Sequence, residues 1–306
     1  AAALNQNSVN SSPKIVETIA EVRKIVREAK PPVVLVPTMG ALHEGHLGLA
    51  HHARRLVGER GLVVVSVFVN PTQFGPNEDF DAYPRDLARD VELCGTAGVD
   101  VVFAPSPDEI YCRDASTDVH ERSLSQLLCG ASRPGHFAGV CIVVLKLLNI
   151  VQPHQAVFGK KDYQQLAIVR RMVRDLNVNV EIVGIETVRE PDGLAMSSRN
   201  AYLTAEERPQ AAAIRRALLN AAASLAAGEH GADSLSENAR AIIEQDASLG
   251  RIDYLEVVDA ETMQRVTTVM RPAVMAAAVF FGQCRLIDNI ELLPAATVIP
   301  DDETLP

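Results

Sequence analysis

The sequence predicts an α/β protein: a doubly wound parallel sheet followed by a second, smaller α+β domain. Short β-branched runs alternate with helical segments through the first two thirds of the chain, the pattern of parallel strands joined by crossover helices. These runs are apolar throughout instead of alternating, as expected for strands buried on both faces. After about residue 190, strand-like segments follow one another without long helices between them, which indicates antiparallel pairing.

The elements of the first domain follow in the order that crossover connections require. A helix is predicted in "PKIVETIAEVRKIVREAK", because its apolar residues recur at helical spacing and its basic end suits the helix dipole. Three buried strands come next, with helices between them. The strands are "PPVVLVP", "LVVVSVFVN" and "VVFAPS", and the helices are "GHLGLAHHARRLVGERG" and "FDAYPRDLARDVELCGTAGVD". Farther on, "GVCIVVLKLLNIVQP" predicts a buried helix, "QAVFG" a strand, "DYQQLAIVRRMVRDLN" a helix and "NVEIVGIETV" a strand.

The second domain begins in a turn-rich segment, "EPDGLAMSSRN". Alanine-rich helices are predicted in "TAEERPQAAAIRRALLNAAASLAAGEHG" and "SLSENARAIIEQD", and strands in "IDYLEVVD", "AAAVFFGQ" and "CRLIDNIELL". The predicted organisation is a disordered lead-in over 1–13, a ligand-binding domain over 14–188, the α+β domain over 189–292 and a loose tail over 293–306.

Composition and charge restrict the location and the partners of the chain. The formal net charge of -10 argues against global attraction to nucleic acid or to an anionic membrane, so positive potential for an anionic substrate must be local. No apolar run has the length of a membrane span, and the first residues lack the pattern of a secretory signal. Five scattered cysteines are typical of a reducing compartment. We therefore expect a cytoplasmic protein.

The stretch "PTMGALHEGH" lies where the first predicted buried strand turns into a helix. In a doubly wound sheet, ligands bind beyond the carboxyl ends of the strands, and a helix start offers unpaired N–H groups to an anion. Gly40 and Gly45 allow the backbone to approach a ligand, and His43 and His46 lie on one helical face. The alternative is a polar loop in which each histidine is a cap or a surface residue. The spacing is neither the HExxH zinc motif nor a Walker loop.

Amide side chains follow the next strand, in "FVNPTQFGPNEDFDAYPR". Asn70 and Gln73 are expected at the same sheet edge, where neutral amides can orient hydroxyls and carboxylates without titrating. The alternative is an ordinary turn, since Asn-Pro is a common turn former.

Two further segments carry positive charge to the predicted site. In "FGKKDYQQL", Lys160, Lys161 and Asp162 open a helix after Gly159, and Gln165 follows on the face of Asp162. Lysines at a helix start favour a bound anion, although most lysines are simply solvated. The segment "MSSRN" places two serine hydroxyls and an arginine fork, suited to phosphate, at the domain junction, where serine-rich turns are also common. In "RPGHFAGV", Arg133 and His136 fit a loop role and a ligand contact equally well.

Taken in order, these stretches resemble the pantothenate synthetase family, the pantoate–β-alanine ligases of the HxGH nucleotidyltransferase superfamily. The resemblance extends from about residue 14 to 292 and implies the Rossmann-like fold of that superfamily. It also implies the activity. Pantoate attacks the α-phosphate of ATP to give pantoyl adenylate and pyrophosphate, and β-alanine then attacks the acyl carbon, releasing AMP and pantothenate. Positioning and charge neutralisation suit this chemistry better than a covalent nucleophile would.

The resemblance also implies roles for individual residues. His46, the proton donor of the family, would act here chiefly as an electrostatic stabiliser, assisted by His43, Lys161 and Arg199 as catalytic residues. Gln73 and Gln165 would bind pantoate, with a contribution from Asn70. The implied ATP contacts are Met39, Gly40, Ala41, Leu42, His43, Glu44, Gly45, His46, Gly159, Lys160, Lys161, Asp162, Val188, Met196, Ser197, Ser198 and Arg199.

Mg²⁺ is expected as a cofactor that mostly bridges phosphates. Lys160 replaces the usual glutamate of the family. Asp90 remains in the acidic helix that contributes to magnesium in some members, but Arg89 and Leu93 do not suit a metal, so we expect no protein metal ligands. The family suggests a homodimer, to which the "LVVVSVFVN" strand and nearby segments could contribute a contact.

Two other functions stay open on the sequence. Another HxGH enzyme that transfers a nucleotidyl group to a phosphorylated alcohol would explain the histidine pair and "MSSR", but not Gln73 and Gln165. A nucleotide-sensing protein without chemistry is encouraged only by Lys160.

Overall fold

The computed structural model describes residues 12–76, 78 and 80–294. The chain divides into two compact units. The first unit runs to Val188 and includes Met196–Ser198, and the second comprises Arg189–Ala195 and the chain from Arg199 onward. The predicted lead-in and tail lie outside the described residues, apart from residues 12–13 and 293–294, and the domain limits stay predictions. No helix within the described ranges is both long and apolar enough to cross a bilayer.

The first unit is built on one parallel sheet. Its described strands are β1 (Lys14–Val16), β2 (Val33–Thr38), β3 (Leu62–Val67), β4 (Val101–Phe103), β5 (Gln155–Gly159) and β6 (Glu181–Ile185). Its described helices are α1 (Ile19–Glu28), α2 (Glu44–Val57), α3 (Leu87–Thr96), α4 (Pro107–Ile110), α5 (Cys129–Ser132), α6 (His136–Val151) and α7 (Tyr163–Asp175), and short 3-10 turns occupy 71–73, 124–126 and 160–162.

The strand order fixes where a ligand crevice opens. The order is β1-β4-β3-β2-β5-β6, with every pairing parallel. From β2 the chain adds β3 and β4 on one side and then returns to add β5 and β6 on the other. The order therefore reverses between β2 and β5, and ligands of doubly wound sheets bind at such a reversal. The turns that follow β2 and β5 are the two that begin with Met39 and with Lys160.

The central strands are buried on both faces, as their continuous apolar sequences predict. Val34 and Leu35 of β2 and Val63 and Val64 of β3 are fully buried. Both edges of β3 are also paired, one with β2 and the other with β4. Because both edges of β3 are paired, the "LVVVSVFVN" strand cannot join a second subunit by edge-to-edge pairing, and a subunit contact of this segment by other means stays a prediction. A contact through nearby segments stays a prediction.

The first predicted helix is too long at its N-terminal end. Lys14–Val16 forms β1, which pairs with Val101–Phe103, and α1 begins only after Thr18. The Thr18 hydroxyl accepts the Glu21 N–H at 3.3 Å, and the Glu21 carboxylate accepts the Thr18 N–H at 3.2 Å. This reciprocal capping box fixes the helix start. The helix predicted over 80–100 likewise begins late, because Asp86 caps α3 by accepting the Arg89 N–H at 3.1 Å.

The second unit packs helices against a three-stranded antiparallel sheet. Its described helices are α8 (Glu207–Ala211), α9 (Ala213–Ala226) and α10 (Ala232–Asp246), and its strands are β7 (Gly250–Asp259), β8 (Ala273–Phe281) and β9 (Cys284–Leu292). The sheet order β7-β8-β9 is antiparallel, as predicted. Ala213, Ala217 and Ala221 are fully buried in the core of this unit, and their spacing by four places them on one face of α9.

Ala217→Leu is expected to destabilise the second unit by about 1–3 kcal/mol, because three added carbon atoms have no room on the packed face of α9. The measurement is the urea midpoint followed by circular dichroism. Leu219→Ala is the matched control on the same helix, since Leu219 is 48% exposed. Equal midpoints for the two variants would contradict the tight packing of this face.

Candidate active site

A buried carboxylate shapes the turn between β2 and α2. Gly40 (φ +82°) and Ala41 (φ +50°) both have left-handed backbone conformations. The Asp90 carboxylate from α3 accepts the Ala41 N–H at 2.9 Å and the Leu42 N–H at 2.8 Å. A Cβ at position 40 would lie 2.9 Å from the same carboxylate, so only glycine fits there without displacement. Asp90 thus fixes the segment that leads into the histidine pair.

The two histidines cap the helix that they begin. His43 is the N-cap of α2, and its Nδ1 accepts the Gly45 N–H at 3.0 Å. His46 Nδ1 accepts the His43 N–H at 3.3 Å. The ring centroids are 4.1 Å apart. Because each Nδ1 accepts, each ring carries its proton on Nε2, and neither Nε2–H has a hydrogen-bond partner among the described residues. Two adjacent N–H donors are therefore available to a ligand.

Burial keeps both rings neutral at physiological pH. Desolvation, and then the positive charge of Lys161, lower the pKa of His43 to about 4. Desolvation, followed by His43 and Lys161, lowers the pKa of His46 to about 3. A neutral imidazole can donate a hydrogen bond from Nε2, but it cannot serve as an imidazolium acid.

The turn after β5 brings lysines to the same edge of the sheet. Lys161 follows β5, the strand beside β2, and its positive charge is one cause of the lowered pKa of both imidazoles. Lys160 instead forms an ion pair with Glu186 just past the end of β6, with 2.5 Å between Nζ and Oε1. Asp162 is exposed and contributes an opposing effect on the pKa of His43.

Val188 and Met196 both belong to the first unit and lie beside the start of α2. The Val188 carbonyl accepts the Met196 N–H at 3.0 Å. A Cβ at Gly48 of α2 would lie 2.8 Å from Val188 Cγ2, and a Cβ at Gly45 would lie 3.7 Å from Met196 Cβ. Val188 and Met196 therefore line the first turns of α2. Ser197 and Ser198 follow in the first unit, while Arg199 belongs to the second unit, so its position at the phosphates stays a prediction.

Two amide side chains, those of Asn70 and Gln73, follow β3 and lie beside the turn that begins with Met39. Asn70 is fully buried, and its Oδ1 accepts the Tyr111 hydroxyl at 2.8 Å and the Thr72 hydroxyl at 3.0 Å. Its Nδ2 donates to Gln73 Oε1 at 3.1 Å and to the Gly139 carbonyl at 3.0 Å. These contacts hold Gln73 in place through Asn70, and a direct contact of Asn70 with pantoate stays a prediction.

The Gln73 carboxamide lies next to the phosphate turn. Its Nε2 donates to Met39 Sδ at 3.1 Å, one residue before Gly40. Sulfur is a weak acceptor, so a ligand oxygen can replace this contact at little cost. Helix α6 lies directly beneath Gln73, because Gly139 lacks a side chain: a Cβ there would be 2.3 Å from the Thr72 carbonyl oxygen.

The two neighbouring glutamines of α7 have different surroundings. Gln164 is buried, donates to the Leu124 and Leu127 carbonyls at 2.8 and 2.6 Å, and accepts the Cys129 N–H at 3.1 Å. Gln165 is half-buried, and its amide has no hydrogen-bond partner in the described part of the chain. Gln164 thus anchors α7, which leaves Gln165 available for a ligand.

The sequence did not identify several residues that support the site. Gly139, Tyr111 and Gln164 lay in stretches that predict a helix or a loop and gave no separate signal. Asp90 was considered only as a metal ligand, but both of its carboxylate oxygens accept backbone N–H groups. The described residues contain no cluster of three or more His, Cys, Asp or Glu that could hold a metal ion.

Comparison with known proteins identifies the family. The model of the family described as pantoate-beta-alanine ligase matches residues 14–291. The chain belongs to this family. A pantothenate synthetase of Akkermansia muciniphila is 59% identical over 260 residues, which cover 85% of this chain and 92% of the relative. That of Thermotoga neapolitana is 53% identical over 281 residues, covering 90% and 98%.

Solved structures of the family have the same fold. The pantothenate synthetase of Thermus thermophilus superposes with a TM-score of 0.86 at 46% identity, covering 92% of this chain and 100% of that chain. The pantoate-beta-alanine ligase of Francisella tularensis, complexed with beta-gamma ATP and beta-alanine, gives 0.72 at 32% identity, covering 91% and 97%. The chain is thus an ATP-dependent ligase that condenses pantoate with β-alanine, and the fold predicted from its sequence is confirmed.

Gly139→Ala is expected to lower kcat/KM for pantoate by about tenfold or more, because the new methyl group displaces the 71–73 turn that carries Gln73. Steady-state kinetics with varied pantoate measure the effect. Gly95→Ala in α3 is the control, since its Cβ would meet only Pro13 Cδ at 3.4 Å. Full activity of the Gly139 variant would show that the turn tolerates displacement.

Stability is expected to fall as the pH drops from about 6.5 toward 4. The pKa of each active-site histidine is lower in the folded chain than in the unfolded chain, so the unfolded state binds more protons across this range. Each ring contributes up to about 1.4 kcal/mol per pH unit. Urea midpoints at pH 7.5 and 4.5 measure the loss. His46→Gln should reduce the difference, whereas His120→Gln, at an exposed site, should not; a midpoint independent of pH would refute the assignment.

Proposed function

We propose that the first unit binds ATP and pantoate side by side at the carboxyl ends of β2, β3 and β5 and forms pantoyl adenylate there. The observation that carries the proposal is the pair of Nε2–H donors on His43 and His46, which have no partner among the described residues, at the sheet edge where Lys161 follows β5. Gln73 lies next to the same turn through Met39. These contacts support an anion and a small hydroxy acid binding as neighbours.

In the first step, a pantoate carboxylate oxygen attacks the α-phosphorus of ATP, and the bond to the pyrophosphate oxygen breaks. Negative charge grows on the phosphate oxygens and the leaving group. Lys161 and the two Nε2–H donors are in place before the charge develops, which is how preorganised dipoles lower a barrier. His46 therefore stabilises charge and does not supply a proton, in agreement with its low pKa.

In the second step, the β-alanine amine attacks the acyl carbon, and the acyl–oxygen bond to AMP breaks. Gln73 and Gln165 would hold the pantoyl hydroxyls in position throughout, since their amides can both donate and accept. Among the other predicted ATP contacts, Val188 and Met196 line α2. Ser197, Ser198 and Arg199 would approach the phosphates from the junction segment.

Three further assignments rest on the family resemblance. We propose that Mg²⁺ acts on the ATP phosphates without protein side-chain ligands, because the Asp90 carboxylate already accepts two backbone N–H groups of the turn. A homodimer and a cytoplasmic location are also proposed. The cytoplasmic assignment is supported by the five cysteines, all of which are free thiols.

Pantoate-dependent exchange of labelled pyrophosphate into ATP, measured without β-alanine, tests the first step directly. Lys161→Ala and His46→Ala are each expected to slow the exchange by about 10²–10³-fold, because each removes a preorganised charge or donor. His46→Gln, which places an N–H near the Nε2 position, should retain more activity than His46→Ala.

Lys24→Ala is the control for the exchange assay, since it removes an exposed lysine of α1. Normal exchange in the Lys161 variant would count against the proposed phosphate site. Exchange that depends on a phosphorylated alcohol instead of pantoate would indicate the other class of HxGH enzyme.

A further inference from the structure

The backbone of Gln73 has a side-chain partner that the proposed reaction does not use. His136, the first residue of α6, has its Nδ1 2.8 Å from the Gln73 carbonyl oxygen. A carbonyl can only accept, so Nδ1 carries the proton and donates it. The His136 ring is therefore fixed in the opposite tautomer to the rings of His43 and His46.

The other nitrogen of His136 continues the chain of contacts. Arg133 Nη1 lies 3.1 Å from His136 Nε2, and because a guanidinium can only donate, Nε2 accepts. Arg133 also binds both oxygens of the Glu78 carboxylate, with Nε–Oε1 at 2.7 Å and Nη2–Oε2 at 2.6 Å. These contacts form a chain of hydrogen bonds, here called the relay, that runs from Glu78 through Arg133 and His136 to the Gln73 carbonyl oxygen. At each step, the donor and the acceptor are fixed by the chemistry of the two groups.

The relay holds the part of Gln73 that Asn70 does not reach. Asn70 contacts the Gln73 side chain at Oε1, and His136 contacts its main chain at the carbonyl oxygen. A side chain can be aimed reproducibly only if the backbone beneath it is fixed as well. Small displacements of a substrate-orienting group have large kinetic effects, since about 1 Å can cost on the order of 10²-fold.

We propose that Glu78, Arg133 and His136 are positioning residues that set the affinity for pantoate by fixing the backbone of Gln73. The inference rests on the proposed function, in which Gln73 contacts pantoate. The three residues come from two separate segments, and the Glu78–Arg133 pair is about a quarter exposed on both sides. A partly exposed ion pair contributes little to global stability, so its effect should appear in substrate binding instead of in unfolding.

The first test compares Arg133→Met with Arg54→Met by pyrophosphate exchange at varied pantoate and varied ATP. Arg54 is a matched control, because it lies in the same unit, is 25% exposed against 27% for Arg133, and pairs with Asp100 away from the site. Arg133→Met is expected to raise KM for pantoate by ~5–10-fold and to change KM for ATP less than ~2-fold. Arg54→Met should change neither constant.

The second test asks whether the hydrogen bonds of the relay are responsible for the change in KM for pantoate. His136→Asn retains an N–H donor near the Nδ1 position, whereas His136→Phe retains a ring without a donor. The Asn variant should keep KM for pantoate closer to the parent value. In a double-mutant cycle, Glu78→Gln should raise this KM in the parent but add little in the Arg133→Met background, which a general packing defect would not produce.

The outcomes separate the relay from the proposed function. If Gln73→Ala leaves KM for pantoate unchanged, the assignment of Gln73 is wrong and the relay proposal fails with it. If Gln73→Ala raises KM for pantoate but Arg133→Met and His136→Phe do not, the relay alone is overturned. Equal rises in both KM values would also overturn it. If Arg133→Met fails to fold, the nearly isosteric Glu78→Gln and the His136 pair decide the question by the same measurement.

Discussion

The active site depends on one hydrogen bond at the start of α2, from the Gly45 N–H to His43 Nδ1. An N-cap must present a lone pair, so this bond forces the imidazole proton onto Nε2. His46 repeats the arrangement by accepting the His43 N–H. The helix start therefore satisfies its own N–H groups and at the same time turns two ring N–H groups into donors for a ligand. Protonation of either Nδ1 would break the cap, so the cap acts together with burial in keeping both rings neutral.

Hydrogen-bonding capacity separates the residues that build the site from those that meet the ligand. Asp90, Asn70 and Gln164 are buried, and each uses its polar atoms on protein partners. His46 and Gln165 lie among them with donors that have no partner in the described residues. Both side chains are only partly buried, so their donors are open to solvent and available to a ligand. The same residue type takes both roles at adjacent positions, as Gln164 and Gln165 show.

Sequence periodicity predicted the sheet because parallel strands are read from local apolar runs, and β2 and β3 are such runs. Periodicity did not predict β1 (Lys14–Val16), because an edge strand of three residues is too short for its apolar pattern to be distinguished from that of the helix that follows. The capping signal at Thr18 and Glu21 was present in the sequence and marks the true helix start. No local sequence pattern could predict the residues that support the site. Gly139 matters only because the 71–73 turn packs on it, a contact between segments far apart in the chain.

The positive charge of Lys160 is balanced by a carboxylate from the neighbouring strand's end. Lys160 adds a second base next to Lys161, and Glu186 supplies the opposite charge from just beyond the neighbouring strand. Glu186 is 80% exposed, so water screens the pair and separating it costs little. Because an ammonium group has three N–H donors, contact of Lys160 with ATP would not even require this separation. The positive charge of Lys161 lowers the pKa of both imidazoles, so it is coupled electrostatically to the two donors.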